Sequence, residues 1–109
     1  MNRLLRSALS VLTFLAIASL VLGGLYRERA RQVRGLTALR GSTEFQIRSK
    51  AGAPSDVLTP NSPDYPVAGY TKPSRGPKFD RAYLYYVGDE LVYLFIRDGV
   101  CTDVFVGGG

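Results

Sequence analysis

Twenty consecutive positions from Ser7 to Tyr26, SALSVLTFLAIASLVLGGLY, carry no charge, and leucine, alanine, valine and isoleucine dominate them. At helical rise such a run spans about 30 Å, the thickness of a hydrocarbon core. Arginines stand at both ends, and Tyr26 takes the place of an interfacial aromatic. The pattern predicts residues 1–26 as an N-terminal membrane anchor. The alternative is a cleaved signal peptide, with Met1–Arg6 as its basic region and Ala16-Ile17-Ala18 or Val21-Leu22-Gly23 as its cleavage site. The run continues past Ala18 through Leu20, Val21, Leu22 and Leu25, which exceeds the usual apolar region of a signal and favours the anchor.

Beyond the run, residues 27–40 (RERARQVRGLTALR) can continue as a basic juxtamembrane helix, with Ala30, Val33 and Leu36 at 3–4 spacing. Thr43 and Gln46 then form a capping box, so a second helix starts there. It runs to about Ala51 and stops at Gly52, with Pro54 just beyond. All six prolines fall between Pro54 and Pro77, which makes residues 54–77 one long irregular loop. Tyr65 and Tyr70 are its large side chains.

From Arg81 the period changes to two, and three strands are expected at about 81–87, 91–97 and 100–106. Gly88-Asp89, with or without Glu90, joins the first pair. Asp98-Gly99 joins the second as a type I′ hairpin turn. The meander then ends in three frayed glycines. With two-residue turns, one face carries Ala82, Leu84, Tyr86, Leu91, Tyr93, Phe95, Val100, Thr102, Val104 and Val106. The other carries Tyr83, Tyr85, Val92, Leu94, Ile96, Cys101, Asp103 and Phe105; a three-residue first turn would flip the first strand.

Both faces are unusually apolar for an antiparallel sheet, where one normally meets water. A short helix covers only one. The proline-rich loop, the juxtamembrane helix, a partner or a second copy must meet the other. Tyr83, Tyr85, Val92, Leu94, Ile96 and Phe105, with Tyr65 and Tyr70 of the loop, are therefore the candidate interaction surface.

Charge adds to this picture because it is unevenly placed. The net charge is +5, yet residues 1–40 hold seven arginines against Glu28 alone, while residues 41–109 hold seven bases and eight acids. The arginines bracket an apolar run rather than interleaving with aromatics on a folded face, so nucleic acid is not an expected partner. Their numbers either side of the run leave the membrane orientation nearly tied.

The residues that usually carry chemistry are scarce. There is no histidine and a single cysteine, which removes the commonest general base, metal ligand and disulfide framework. No phosphate-cradling glycine motif precedes a helix. Asp103 interrupts an apolar strand, where an inward charge discourages edge pairing. Cys101 reads as a small buried hydrophobe, or else as an intermolecular bridge in an oxidising compartment. Catalytic, cofactor-binding and metal-ligating residues are all expected to be absent.

Two stretches resemble the SmpA/OmlA (BamE-like) family. In the first, Leu39-Arg40-Gly41-Ser42-Thr43-Glu44-Phe45-Gln46-Ile47 is followed by Gly52-Ala53-Pro54-Ser55-Asp56-Val57. It is similar to that family's glycine, threonine-started helix with an inward aliphatic at Ile47, and Gly-x-Pro end. In the second, Leu84-Tyr85-Tyr86, Leu94-Phe95-Ile96-Arg97-Asp98-Gly99-Val100 and Val104 look like its meander. Together they cover about Leu36 to Val106. The chain departs from the family at Lys50-Ala51, in the long loop, and in the apolar run standing where a lipid-bearing cysteine is usual. The resemblance implies a small, non-catalytic module of the bacterial cell envelope that binds partner proteins, and it places the domain outside the cytoplasm.

The expected architecture is thus α+β. An N-terminal transmembrane helix precedes a small two-layer domain at 41–109, with one or two helices packed on a three-stranded antiparallel meander. The expected function is a non-enzymatic, single-pass, membrane-anchored envelope protein acting by protein–protein interaction as a scaffold or assembly component. Its partners would be the lipid bilayer, through Ser7 to Tyr26, and an unknown protein or a second copy. The alternative is a secreted, signal-cleaved inhibitor-like or ligand-binding module of the same fold.

Overall fold

The computed structural model describes the backbone of residues 2–73 and 78–109, and side chains from Ile17 onward within those limits. The chain divides into two units, Met1–Arg31 and Gln32–Gly109. Helix α1, Asn2–Thr37, is one uninterrupted helix, so the predicted apolar and basic segments share it.

The predicted membrane anchor is corrected here. Among the described residues, no helix is long and apolar enough to cross a membrane. The described part of the uncharged run extends only from Ile17 to Tyr26 before Arg27, Glu28, Arg29, Arg31 and Arg34 follow. That length spans about 15 Å at helical rise, roughly half a hydrocarbon core. Met1–Arg6 and the stretch from Ser7 to Ala16, with Ala16 of the first cleavage motif, lie outside the residues whose side chains are described. The single-pass location and the membrane-relative placement of the domain fall with the anchor.

Helix α2, Glu44–Ala51, forms where its capping signals put it. Thr43 Oγ1 accepts from the Gln46 amide at 3.3 Å, and the Gln46 side chain accepts from the Thr43 amide at 3.0 Å. Two otherwise orphaned amides are satisfied reciprocally. Gly52 ends the helix at φ 78°, in the left-handed region, and its amide donates to the Arg48 carbonyl.

The sheet has four antiparallel strands rather than three, in the order β1-β2-β3-β4. They are β1 (Asp56–Leu58), β2 (Arg81–Val87), β3 (Glu90–Arg97) and β4 (Val100–Gly108). The added strand, β1, lies inside the proline-rich segment and pairs Asp56 to Leu58 with Leu84 to Ala82. Gly88-Asp89 is a two-residue turn with Val87 opposite Glu90. Asp98 and Gly99 both take positive φ, 53° and 79°, as a type I′ turn requires. The final glycines are not frayed, because Gly107 and Gly108 pair with Leu91 and Glu90.

A register shift corrects the predicted faces of β4. Ile96 pairs with Cys101 but Phe95 with Asp103, so Thr102 is an extra residue bulged out of the ladder. Beyond it every side chain changes face relative to a regular strand. Val104 and Val106 join Val92 and Leu94, whereas Phe105 crosses to Tyr93 and Phe95. Asp103 accordingly stands opposite Phe95 and not Leu94.

Two apolar clusters result, one on each face of the sheet. On the first, Leu36 at the end of α1, Leu39 in the turn after it and Ile47 from α2 cover Tyr83, Tyr85, Val92, Leu94, Ile96 and Cys101. On the second, Tyr65, Val67, Tyr70 and Phe79 cover Leu58, Ala82, Leu84, Leu91, Tyr93 and Phe95. The described part of the proline-rich segment is therefore a third layer, and the two-layer expectation is corrected. Tyr65 sits edge-on to Phe79, Tyr93 and Phe95 with ring centroids 5.1, 6.1 and 6.4 Å away. Such arrangements contribute about 0.5–1.5 kcal/mol per pair beyond area burial. Residues 74–77 of the predicted loop lie outside the described residues.

Candidate functional site

Of the eight residues predicted to form an interaction surface, the structure buries five and half-buries three. Tyr83 and Tyr85 are 2% and 8% exposed, and Val92, Leu94 and Ile96 are fully buried. These five make up the core beneath the helices. Tyr65, Tyr70 and Phe105 pack against the opposite face. An apolar sheet face marks a partner site only if the chain cannot cover it, and this chain covers both.

The buried tyrosines keep their hydroxyls hydrogen-bonded, as buried polar groups must. Tyr83 Oη donates to Glu44 Oε1 at 2.8 Å and accepts from Arg48 Nε at 3.3 Å. The Arg48 guanidinium carbon lies 5.0 Å from the Tyr83 ring centroid, in cation–π range. Arg81 Nε reaches the same Glu44 oxygen at 3.2 Å. Tyr85 Oη donates to the Gly52 carbonyl at 2.9 Å, and Tyr93 Oη accepts from the Val67 amide at 3.1 Å. Each bond ties the sheet to one of its covering layers.

These polar contacts fasten layers together. The hydrogen bond and charge of Tyr83 push Arg48 above its ordinary range, so it stays a cation. Burial raises Tyr85, Tyr93 and Tyr65, which keeps the phenols neutral. Burial likewise raises the Cys101 thiol, which donates to the Asp103 carbonyl at 3.4 Å, and a raised thiol is a poor nucleophile. Asp103 pairs with Arg40 at 3.7 Å. Among the described residues, no group of three or more His, Cys, Asp or Glu is placed to hold a metal ion.

Surfaces of a different kind stand out. In α1, Ile17, Leu20, Val21, Leu22, Leu25 and Tyr26 are between 55% and 77% exposed. In the second unit, two clefts flank the end of β2. One, of about 550 Å³, is lined by Gly35, Leu36, Leu39, Lys50, Ala51 and Tyr85, among others. The other, of about 380 Å³, includes Asp56, Asp64, Pro66, Val67, Leu84 and Tyr86. Sequence reasoning missed both clefts, because the first depends on how the helices pack on β2 and the second on β1. The signal available was the short alternation Asp56-Val57-Leu58 amid prolines, too brief to read as a strand. No family model, curated protein or solved structure matches the chain.

Proposed function

We propose that this chain is a binding module that acts through protein–protein contact, in the manner of a scaffold or assembly component, and not an enzyme. The observation that carries this reading is the exposed apolar stretch of α1. Six large apolar side chains within ten residues face solvent. A contiguous apolar patch of this kind marks a contact site, whereas singly scattered apolar residues do not. The likeness to the SmpA/OmlA family supports the same reading, since its members bind partner proteins.

A photocrosslinking side chain placed at Leu22 of the full chain tests it in cells. Discrete adducts are expected there, at twice the chain mass for a second copy or at another defined mass for a partner. An equal yield from a control at the charged position Arg29, or no adduct at Leu22, overturns the reading.

One observation favours a second reading, a secreted module released by signal cleavage. Among the described residues, both clusters of the second unit draw only on Val33 and later positions. Cleavage after Ala18 or Gly23 would therefore leave that core whole. Mass measurement of the mature protein decides between them, because a chain that retains its N-terminal run excludes cleavage.

A further inference from the structure

β1 is too short to cover its neighbour. It pairs β2 only from Ala82 to Leu84, while β2 continues to Val87 and pairs β3 along its whole length. Among the described residues, Tyr86 thus turns its amide and carbonyl outward with no strand beside it, since Tyr85 and Val87 face β3 and the Leu84 carbonyl accepts from the Ser55 amide. Unpaired strand edges carry backbone donors and acceptors that can template another chain. The far edge of the sheet is blunted instead. At one end the Cys101 carbonyl accepts from the Gly41 amide and the Cys101 amide donates to the Ser42 carbonyl, and at the other the Thr71 amide donates to the Gly108 carbonyl.

The surroundings of the open edge differ on its two sides. The helix-side cleft is walled mostly by the apolar groups of Leu36, Leu39, Ala51, Tyr85 and Val87, with Gln32 and Lys50 also lining it. The loop-side cleft is bordered by the carboxylates of Asp56 and Asp64. Tyr86, 47% exposed, borders both. Successive side chains of a strand point to opposite faces of a sheet. A strand laid along Tyr85–Val87 would therefore send alternate side chains into an apolar cleft and an acidic one.

Resting on the reading of the chain as a binding module, we propose that this edge accepts an extended peptide of a partner protein, with apolar and basic side chains alternating. Backbone pairing with β2 supplies the attachment and the two clefts supply selectivity. The apolar side chains enter beside Leu36 and Leu39, and the basic ones face Asp56 and Asp64.

The test uses the full chain and two labelled probe peptides, one alternating lysine with valine and one alternating glutamate with valine. The lysine peptide is expected to shift the signals of Tyr85, Tyr86 and Val87 and to protect the Tyr86 amide, the one of the three that faces outward. Its affinity should fall about tenfold in the double variant Asp56→Asn and Asp64→Asn, and the glutamate peptide should bind about tenfold more weakly to the parent. Asparagine keeps the side-chain oxygen with which Asp56 accepts from the Val57 amide at 2.8 Å, so that turn survives. Equal binding of both peptides, or no loss in the double variant, overturns the proposal. So does protection of the Tyr86 amide by self-association without peptide, which would make a second copy the occupant. Binding that perturbs only Ile17–Tyr26, or no peptide binding while Leu22 still crosslinks, overturns the edge and leaves the binding-module reading standing. Absence of crosslinks at Leu22 removes that broader reading separately.

Discussion

Single atoms decide several features of this fold. A Cβ added at Gly107 would lie 2.5 Å from the Thr71 carbonyl oxygen, a backbone atom that cannot swing aside. Gly108 has nothing within 4 Å of the same position. Gly107→Ala is therefore expected to cost about 1–3 kcal/mol by overpacking, with Gly108→Ala close to neutral, in paired urea melts. The buried phenols and thiol set a pH limit. Tyr65, Tyr85, Tyr93 and Cys101 are all raised in the folded state by burial. A raised group binds its proton more tightly when folded, so its contribution is complete below the unfolded value and is lost as pH rises through the folded one. Stability from these groups should hold from neutral pH to about 9 and decline above about 10, the ordinary tyrosine value. Denaturant midpoints across that range measure it, and a rise in stability above pH 10 would contradict the burial of these residues.

Elements differ in how far local chemistry specifies them. Helix α2 is set by its own ends, so Thr43→Ala should lower stability by about 1 kcal/mol, measurable as a shifted urea midpoint with unchanged slope. The β3–β4 hairpin is equally local, because Asp98-Gly99 supplies the positive φ its turn demands. These parts were legible in the residues. The β4 bulge was not, since Val100-Cys101-Thr102-Asp103-Val104 alternates well enough to be read as a regular strand. Only pairing with β3 shows that Thr102 is the extra residue, with its carbonyl accepting from Arg40 Nε at 3.0 Å. Its hydroxyl oxygen is buried without a hydrogen-bond partner. Replacing it with a methyl of similar shape removes that desolvation penalty, so Thr102→Val should raise stability by about 1 kcal/mol. A loss of that size in the same melt would mean that the hydroxyl has a partner after all.

At the scale of the whole molecule, the informative mismatch is between an apolar sheet and what covers it. Alternation in the strands identified both faces as apolar, and two-sided coverage followed as a requirement. The residues could not say which segment supplied the second cover. Tyr65, Val67, Tyr70 and Phe79 have no helical or strand period, and β1 exists only through pairing with β2. The candidate surface consequently moves from the sheet faces to the apolar part of α1 and the open end of β2. The anchor expectation is corrected because, among the described residues, no helix is long and apolar enough to cross a membrane.

The claim on which these surfaces depend is that the proline-rich segment closes the second face from within. Hydrogen exchange of the full chain, read amide by amide, tests it most directly. Val67 donates to Tyr93 Oη at 3.1 Å and Thr71 to the Gly108 carbonyl at 2.8 Å, although neither lies in a helix or strand. Both amides should exchange slowly, as β2 and β3 do, and all should quicken together in rising denaturant. Exchange of Val67 and Thr71 at the rate of an open loop, while β2 and β3 stay protected, would contradict the account and return the second face to an outside partner.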